Sequence, residues 1–213
     1  MTLPSEIIKY VKDLKYKKDN IGRSDDSVII FENKYILKIS KDINKLYEEY
    51  LKTTWLSDKL PVSKTICFVQ KDNTAYFLRT YLEGKTLISE EFLTNPIKLI
   101  KLIKKANILL DSINSFKCPF NSKDNSGSSF IHGDLCLPNI LIKDDEISGF
   151  IDLDNAGCGD KWYDLSWLIW SFEYNLKTNK YTNLLLDELN ITFDESKFNQ
   201  FIPIEYRTNL KNN

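Results

Sequence analysis

Asp134, Asn139 and Asp152 carry side-chain oxygens at spacings that could bring them together. They lie in His132-Gly133-Asp134-Leu135-Cys136-Leu137-Pro138-Asn139 and in the later Ile151-Asp152. A carboxylate can accept the proton of an attacking hydroxyl. A second carboxylate and an amide can hold Mg²⁺, which prefers hard oxygen ligands and keeps several waters. Phosphoryl transfer needs such a set, because positioning and charge stabilisation dominate that chemistry. The intervening chain supplies a way to assemble it. Residues 140–143 and 147–151 are apolar, β-branched runs separated by Asp144-Asp145-Glu146, a β-hairpin pattern. A hairpin returns the chain to its start, so this one predicts Asp152 beside Asn139, with Asp134 in the loop just before. An ordinary hairpin with polar loop ends fits the same pattern. His132, the one histidine, fits a structural role as well as a catalytic one.

On these residues the sequence resembles the aminoglycoside phosphotransferases, especially their 3′-phosphotransferase branch. Residues 132–139 match the family's His-Gly-Asp-x₄-Asn loop, and Ile151-Asp152 matches its Ile-Asp element. Asp160-Lys161-Trp162-Tyr163-Asp164 matches its Asp-Lys-Trp-Tyr-Asp run. The likeness covers most of the chain and is strongest over residues 130–170. It implies an α+β, two-lobed, protein-kinase-like fold. Residues 1–80 would form a small antiparallel-sheet lobe that binds nucleotide. Residues 81–213 would form a mainly helical lobe with the catalytic loop and the acceptor site. It further implies transfer of the γ-phosphoryl of ATP or GTP to a hydroxyl of an aminoglycoside-like acceptor, a resistance activity. Asp134 would be the catalytic base, with Asn139 and Asp152 the Mg²⁺ ligands. Lys38 would hold the phosphates and Glu49 would position Lys38, with Glu48 as the rival for that role. Ser24, the backbone of Thr80 and Leu82, and Ile151 would complete the nucleotide site. Asp154 and Glu205 are the candidate substrate contacts.

Composition bounds these expectations. A chain of 213 residues, 42% hydrophobic and 28% charged, is long enough for one or two small domains with real cores. A formal charge of −1 gives no global signal for nucleic acid or an anionic membrane. No apolar run reaches the ~18 residues of a membrane span. The N-terminus has no basic stretch followed by an apolar one, so no signal peptide is expected. Cys67, Cys118, Cys136 and Cys158 lack paired spacing, which argues against zinc and for a reducing, cytoplasmic setting. A monomer or weak dimer is expected, with a nucleoside triphosphate and a small hydroxylated, possibly polycationic, molecule as partners.

The elements that must position the site read as follows. Residues 5–14 have helical apolar spacing at Ile7, Ile8, Val11 and Leu14. Strands follow near 16–20, 27–31 and 34–39, with a turn-rich loop at 20–26 and a turn at Glu32-Asn33. Lys38 sits between apolar neighbours in a strand, either as edge protection or as a phosphate ligand. A helix over 43–58 and strands near 65–70 and 75–80 give five strands and one helix for the first lobe. Residues 79–84 read as a hinge. Residues 89–114 are mostly helical, with Pro96 at an early helical position.

Residues 121–129 read as a flexible polar link, where longer relatives place several dozen mostly helical residues. Asp154 could cap a turn or contact substrate. Residues 160–174 read as a helix apolar all round and therefore buried, its aromatics core rather than a stacking platform. Asp164 is expected to bond backbone amides and brace the catalytic loop. Two closing helices are expected over 181–189 and 194–206. Relatives carry an Arg and acidic groups near positions 170, 174 and 175, where this chain has Trp170, Tyr174 and Asn175. That leaves two rival readings open: a kinase for another hydroxylated small molecule, and a nucleotide-binding module without catalysis. A metal-dependent hydrolase using His132, Asp134, Asp152 and Asp154 is disfavoured by the single histidine.

Overall fold

The structure, a computed structural model, describes residues 3–19, 26–122, 124 and 126–211. The chain divides into two compact units, Met1–Glu83 and Gly84–Asn213.

The first unit contains helix α1 (Ser5–Val11), strands β1 (Tyr16–Asp19), β2 (Ser27–Phe31) and β3 (Tyr35–Ser40), helix α2 (Ile43–Leu56), and strands β4 (Thr65–Lys71) and β5 (Thr74–Thr80). The strands form one antiparallel sheet in the order β1-β2-β3-β5-β4. Strand alternation gives this sheet two dressed faces. Tyr35, Leu37 and Ile39 point to the face that α1 covers with Ile7 and Val11. Lys38 pairs with Phe77 on the opposite face, where α2 packs Leu46 over Ala75 and Phe77. The helix read over residues 5–14 is present as α1, and the buried Ile7 and Val11 tie it into the core, so it adds to the one helix counted for this unit. Lys38 lies on a strand paired on both sides, by β2 and β5, so it is not edge protection.

The second unit continues with β6 (Lys85–Thr86), α3 (Glu90–Leu93), α4 (Pro96–Ser112), β7 (Ser129–Ile131), β8 (Ile140–Lys143), β9 (Glu146–Phe150), β10 (Gly157–Gly159), α5 (Lys161–Leu176), α6 (Thr182–Leu189), α7 (Glu195–Phe201) and α8 (Ile204–Lys211). The expected hairpin is present as β8 and β9, with β6 added beside β8. Its turn is tighter than read from sequence. Asp144 and Asp145 both take left-handed φ (52° and 60°), and Glu146 already pairs with Lys143. Two central residues with positive φ make a primed turn, whose twist matches that of the flanking strands.

The C-terminal segment holds three helices, α6, α7 and α8, where two were expected. Pro203 separates the last two. It cannot donate a backbone N–H, and it forces the preceding Ile202 to φ −102°, ψ 113°. Helix α5 is not buried all round. Leu165, Leu168, Ile169 and Phe172 are core, Trp162, Trp167 and Trp170 are half-buried, and Tyr174 is exposed.

The polar segment before β7 is the largest departure. Read as a flexible link, it is instead laced to the chain around β10. Cys158 N–H donates to Phe120 O at 2.9 Å, and Ser122 N–H and Oγ both donate to Cys158 O, at 3.1 and 2.8 Å. Asp160 N–H donates to Asp124 Oδ2 at 2.9 Å. Gly127 is packed so closely that an added Cβ would meet Gly159 O at 2.3 Å. A loose link would tolerate Gly127→Ala. The laced one should lose about 1–3 kcal/mol to overpacking against backbone, read as a lower denaturant midpoint in chemical unfolding.

Candidate active site

In the first unit the site is a set of buried charges. Strand register puts Lys38 and Arg79 on the face that α2 covers, since Lys38 pairs with Phe77 and Ile36 pairs with Arg79. Helix α2, capped by Asp42 through Lys45 N–H at 3.0 Å, presents Glu49 to both. Glu49 Oε2 accepts from Lys38 Nζ at 2.7 Å, and its Oε1 accepts from Arg79 Nη1 at 2.7 Å. Asp26 Oδ2 lies 3.7 Å from Lys38 Nζ. Burial disfavours charge on Glu49, but the Arg79 and Lys38 cations outweigh it and hold its pKa below the usual carboxylate value. Burial likewise opposes charge on Lys38, and Glu49 outweighs it, so the lysine pKa is raised.

Of the expected nucleotide contacts, Lys38 and Glu49 meet as foreseen, and Glu48 is not the partner. Thr80 N–H donates to Lys64 O and Thr80 Oγ1 accepts from Lys64 N–H, each at 2.9 Å. Leu82 is half-buried two residues on. Ser24 lies outside the described residues. Arg79 and Asp26 were missed. The signal for Arg79 was a cation at an inward register position of an apolar strand, the pattern that had singled out Lys38.

In the second unit, a carboxylate buried on α5 sets the loop. Asp164 Oδ2 accepts from His132 N–H at 2.6 Å and Oδ1 from Gly133 N–H at 2.9 Å. Burial pushes its carboxyl up to about 7, against the pull of these two amides. Gly133 has φ +81°, and a Cβ there would meet Asn155 O at 2.3 Å, so only glycine fits. The loop then turns through Leu137–Asn139, with Leu137 N–H held by Ser171 Oγ at 3.0 Å.

Asn139 Nδ2 donates to Asp134 O at 2.9 Å and to Asp134 Oδ2 at 3.0 Å. Ile151 N–H donates to Asn139 O at 3.1 Å, so the returning hairpin delivers Asp152 next to Asn139. Asp152 itself is exposed and has φ 58°, a left-handed conformation that is costly away from glycine and tends to mark functional positions.

Asn139 Oδ1 and the Asp152 carboxylate are hard oxygen donors of the kind Mg²⁺ takes. Among the described residues, no three His, Cys, Asp or Glu side chains form a metal cage. A Mg²⁺ ion bound here would take one or two protein ligands plus water and phosphate oxygens.

The remaining candidates fall at the margins. Asp154 occupies a turn closed by Ala156 N–H to Leu153 O at 3.1 Å. Glu205 is exposed in the first turn of α8, the helix whose Tyr206 O accepts from Trp170 Nε1 at 3.1 Å. Burial first, and then the Asp134 charge, pushes the Cys136 thiol pKa up.

An antiparallel sheet unit followed by a mainly helical one makes this an α+β, protein-kinase-like fold. Residues 98–189 match the model of the phosphotransferase enzyme family. The chain is 27% identical to an aminoglycoside 3′-phosphotransferase of Enterococcus faecalis, covering 96% of this chain and 98% of that one. It is equally identical to one of Staphylococcus aureus, over 96% and 98%. The structure of aminoglycoside phosphotransferase APH(3'')-Id from Streptomyces rimosus superposes with a TM-score of 0.75 at 15% identity, covering 97% of this chain and 95% of that one. The alignment with the E. faecalis enzyme runs over 259 positions against 213 residues here, so that enzyme carries residues without counterparts in this chain.

Two predictions follow from Asp164 and His132. Asp164→Ala leaves two buried amides unpaired, at about 1–3 kcal/mol each, and should lower the thermal midpoint and abolish any activity of the loop. His132 is fully buried. Burial pushes its pKa down to about 4, against the opposing charges of Asp134 and Asp154. Its neutral form therefore contributes stability that is complete above the unfolded pKa near 6.5 and is lost as pH falls toward 4. Between pH 6.5 and 5 the wild type should lose roughly 2 kcal/mol relative to His132→Phe. Parallel urea titrations of the two proteins would show no such divergence if the ring were solvated.

Proposed function

We propose that this protein is a small-molecule kinase that transfers the γ-phosphoryl of ATP or GTP to a hydroxyl of an aminoglycoside-like acceptor, and so confers resistance. The observation that carries the proposal is the Asp134–Asn139 pair held on a loop braced by Asp164, in a chain similar over almost its whole length to aminoglycoside 3′-phosphotransferases. A structure of the S. rimosus enzyme with ADP and streptomycin supports the pairing of nucleotide with aminoglycoside.

In this reading residues 1–80 bind nucleotide and residues 81–213 carry catalysis and the acceptor site. Asp134 accepts the acceptor's hydroxyl proton, and Asn139 holds that carboxylate in orientation through Nδ2. Asn139 Oδ1 and the Asp152 carboxylate would hold Mg²⁺, which would neutralise phosphate charge when bound. Lys38 engages the phosphates and Glu49 fixes Lys38. Ser24 joins the phosphate contacts. The Thr80 carbonyl and the Leu82 amide pair with the base, and Ile151 offers it an apolar contact. Asp154 and Glu205 meet cationic groups of the acceptor. The protein acts in the cytoplasm as a monomer or weak dimer. Among the described residues no helix is long and apolar enough to cross a membrane.

One observation favours a second reading, a different hydroxylated acceptor. Trp170 and Tyr174 stack at 4.9 Å where the resemblance calls for charged groups. An acidic lining for a polycation is correspondingly reduced.

The test is acceptor-dependent ADP release with Mg-ATP and Mg-GTP, across kanamycin-, neomycin- and streptomycin-type acceptors and other polyols. Asp134→Asn should cut turnover by ~10²–10⁴ while leaving nucleotide binding nearly intact. Asp152→Asn should weaken Mg-dependent nucleotide binding itself. Nucleotide binding without transfer to any acceptor would leave a binding module. Transfer to polyols alone would select the second reading.

A further inference from the structure

The Glu49 carboxylate is 1% exposed and is shared by two cations, Lys38 and Arg79, each at 2.7 Å. A lysine that must engage a phosphate needs its ammonium available. If Glu49 were paired with Lys38 alone, it would be left as a buried, poorly compensated anion whenever the ammonium shifted toward a phosphate, a strongly unfavourable state. Arg79 removes that difficulty. Its guanidinium is charged at any working pH and presents a fixed fork. It is itself nine-tenths buried on β5, with Cζ 5.4 Å from the Phe77 ring centroid. Its Nε has no hydrogen-bond partner among the described residues, so Glu49 is the contact that orients it. On the other side of Lys38, the Asp26 carboxylate stands 3.7 Å away, too long for a hydrogen bond and close enough to neutralise. Among the described residues the network therefore contains two cations and two anions. Three of its members are linked by hydrogen bonds, and Asp26 is held by charge alone.

We infer that Arg79 is a positioning residue that keeps Glu49 fixed while Lys38 exchanges the Asp26 carboxylate for a nucleotide phosphate. The inference rests on the kinase reading above. Arg79 holds the anchor, Glu49 aims the ammonium, and Asp26 is the counter-ion that a phosphate displaces. Glu49 is then more than an accessory of Lys38, because removing it strands two buried cations instead of one.

The experiment is calorimetric binding of Mg-ATP to the full chain without acceptor, followed by steady-state kinetics. Arg79→Met keeps most of the side-chain volume and removes the charge. It should weaken nucleotide binding tenfold or more and raise the nucleotide KM, leaving the acceptor KM unchanged. Arg79→Lys should recover part of the loss. Asp26→Asn should tighten nucleotide binding several-fold, because the competing anion is gone. Unaltered nucleotide affinity in a folded Arg79→Met protein would mean a purely structural ion pair and overturn the inference, as would weaker binding in Asp26→Asn. Should Arg79→Met fail to fold, Arg79→Lys and Asp26→Asn decide by the same signs. Absence of nucleotide binding by the wild type would instead sink the kinase reading itself.

Discussion

The Asp164 carboxylate, buried beneath the amides of His132 and Gly133, is the contact on which the geometry of the 132–139 loop depends. Both of its oxygens are taken by main-chain donors, so it fixes the backbone and leaves the side chain of Asp134 to be oriented by Asn139. The run Asp160 to Asp164 divides this labour residue by residue. Asp160 caps α5 by accepting from Trp162 N–H, Lys161 pairs with Asp111 of α4 at 2.8 Å, and Asp164 reaches the loop. Trp162 packs into the cluster of Ile169, Leu186 and Phe198. The run thus couples a helix start, a helix–helix contact and a loop brace within five residues.

Two solutions to buried charge are visible in the chain. In the first unit, Glu49 is compensated by cations on both oxygens, and its ionised form is favoured despite near-complete burial. In the second, the partners of Asp164 among the described residues are neutral amides, and burial carries its pKa up to about 7. The difference is physical. An amide dipole offsets part of a desolvation cost, whereas a full opposite charge at hydrogen-bond distance can exceed it.

Helix α5 presents an aromatic face beside a face that braces the loop. Positions 163, 167, 170 and 174 recur at helical spacing and carry Tyr163, Trp167, Trp170 and Tyr174. Trp167 and Trp170 meet edge-to-face at 5.6 Å, and both contact Tyr206 from α8. The faces bearing Asp164 and Ser171 turn instead to the loop. Residues on neighbouring faces of one helix can therefore diverge independently.

How much could be read from residues alone follows from the range of each interaction. The hairpin and its approach to Asn139 were legible, because alternation is a local signal and a hairpin's ends must meet, whereas the brace at Asp164 spans more than thirty residues and was expected on a run matched by resemblance. The pairing of Lys38 with Glu49 was reached through family resemblance. The sequence alone left Lys38 open between edge and interior, since strand order is not written in a strand's own pattern. Only the tertiary structure decided that β3 is central, that β5 turns Arg79 onto Glu49, and that Asp26 closes the charge network. Each of those contacts joins residues far apart in the chain and depends on sheet register. The segment before β7 was misread for the same reason. Its Ser, Asn, Asp and Gly residues are turn formers in isolation, yet the same small polar groups let its backbone lie against that of residues 157–160 and hydrogen-bond to it.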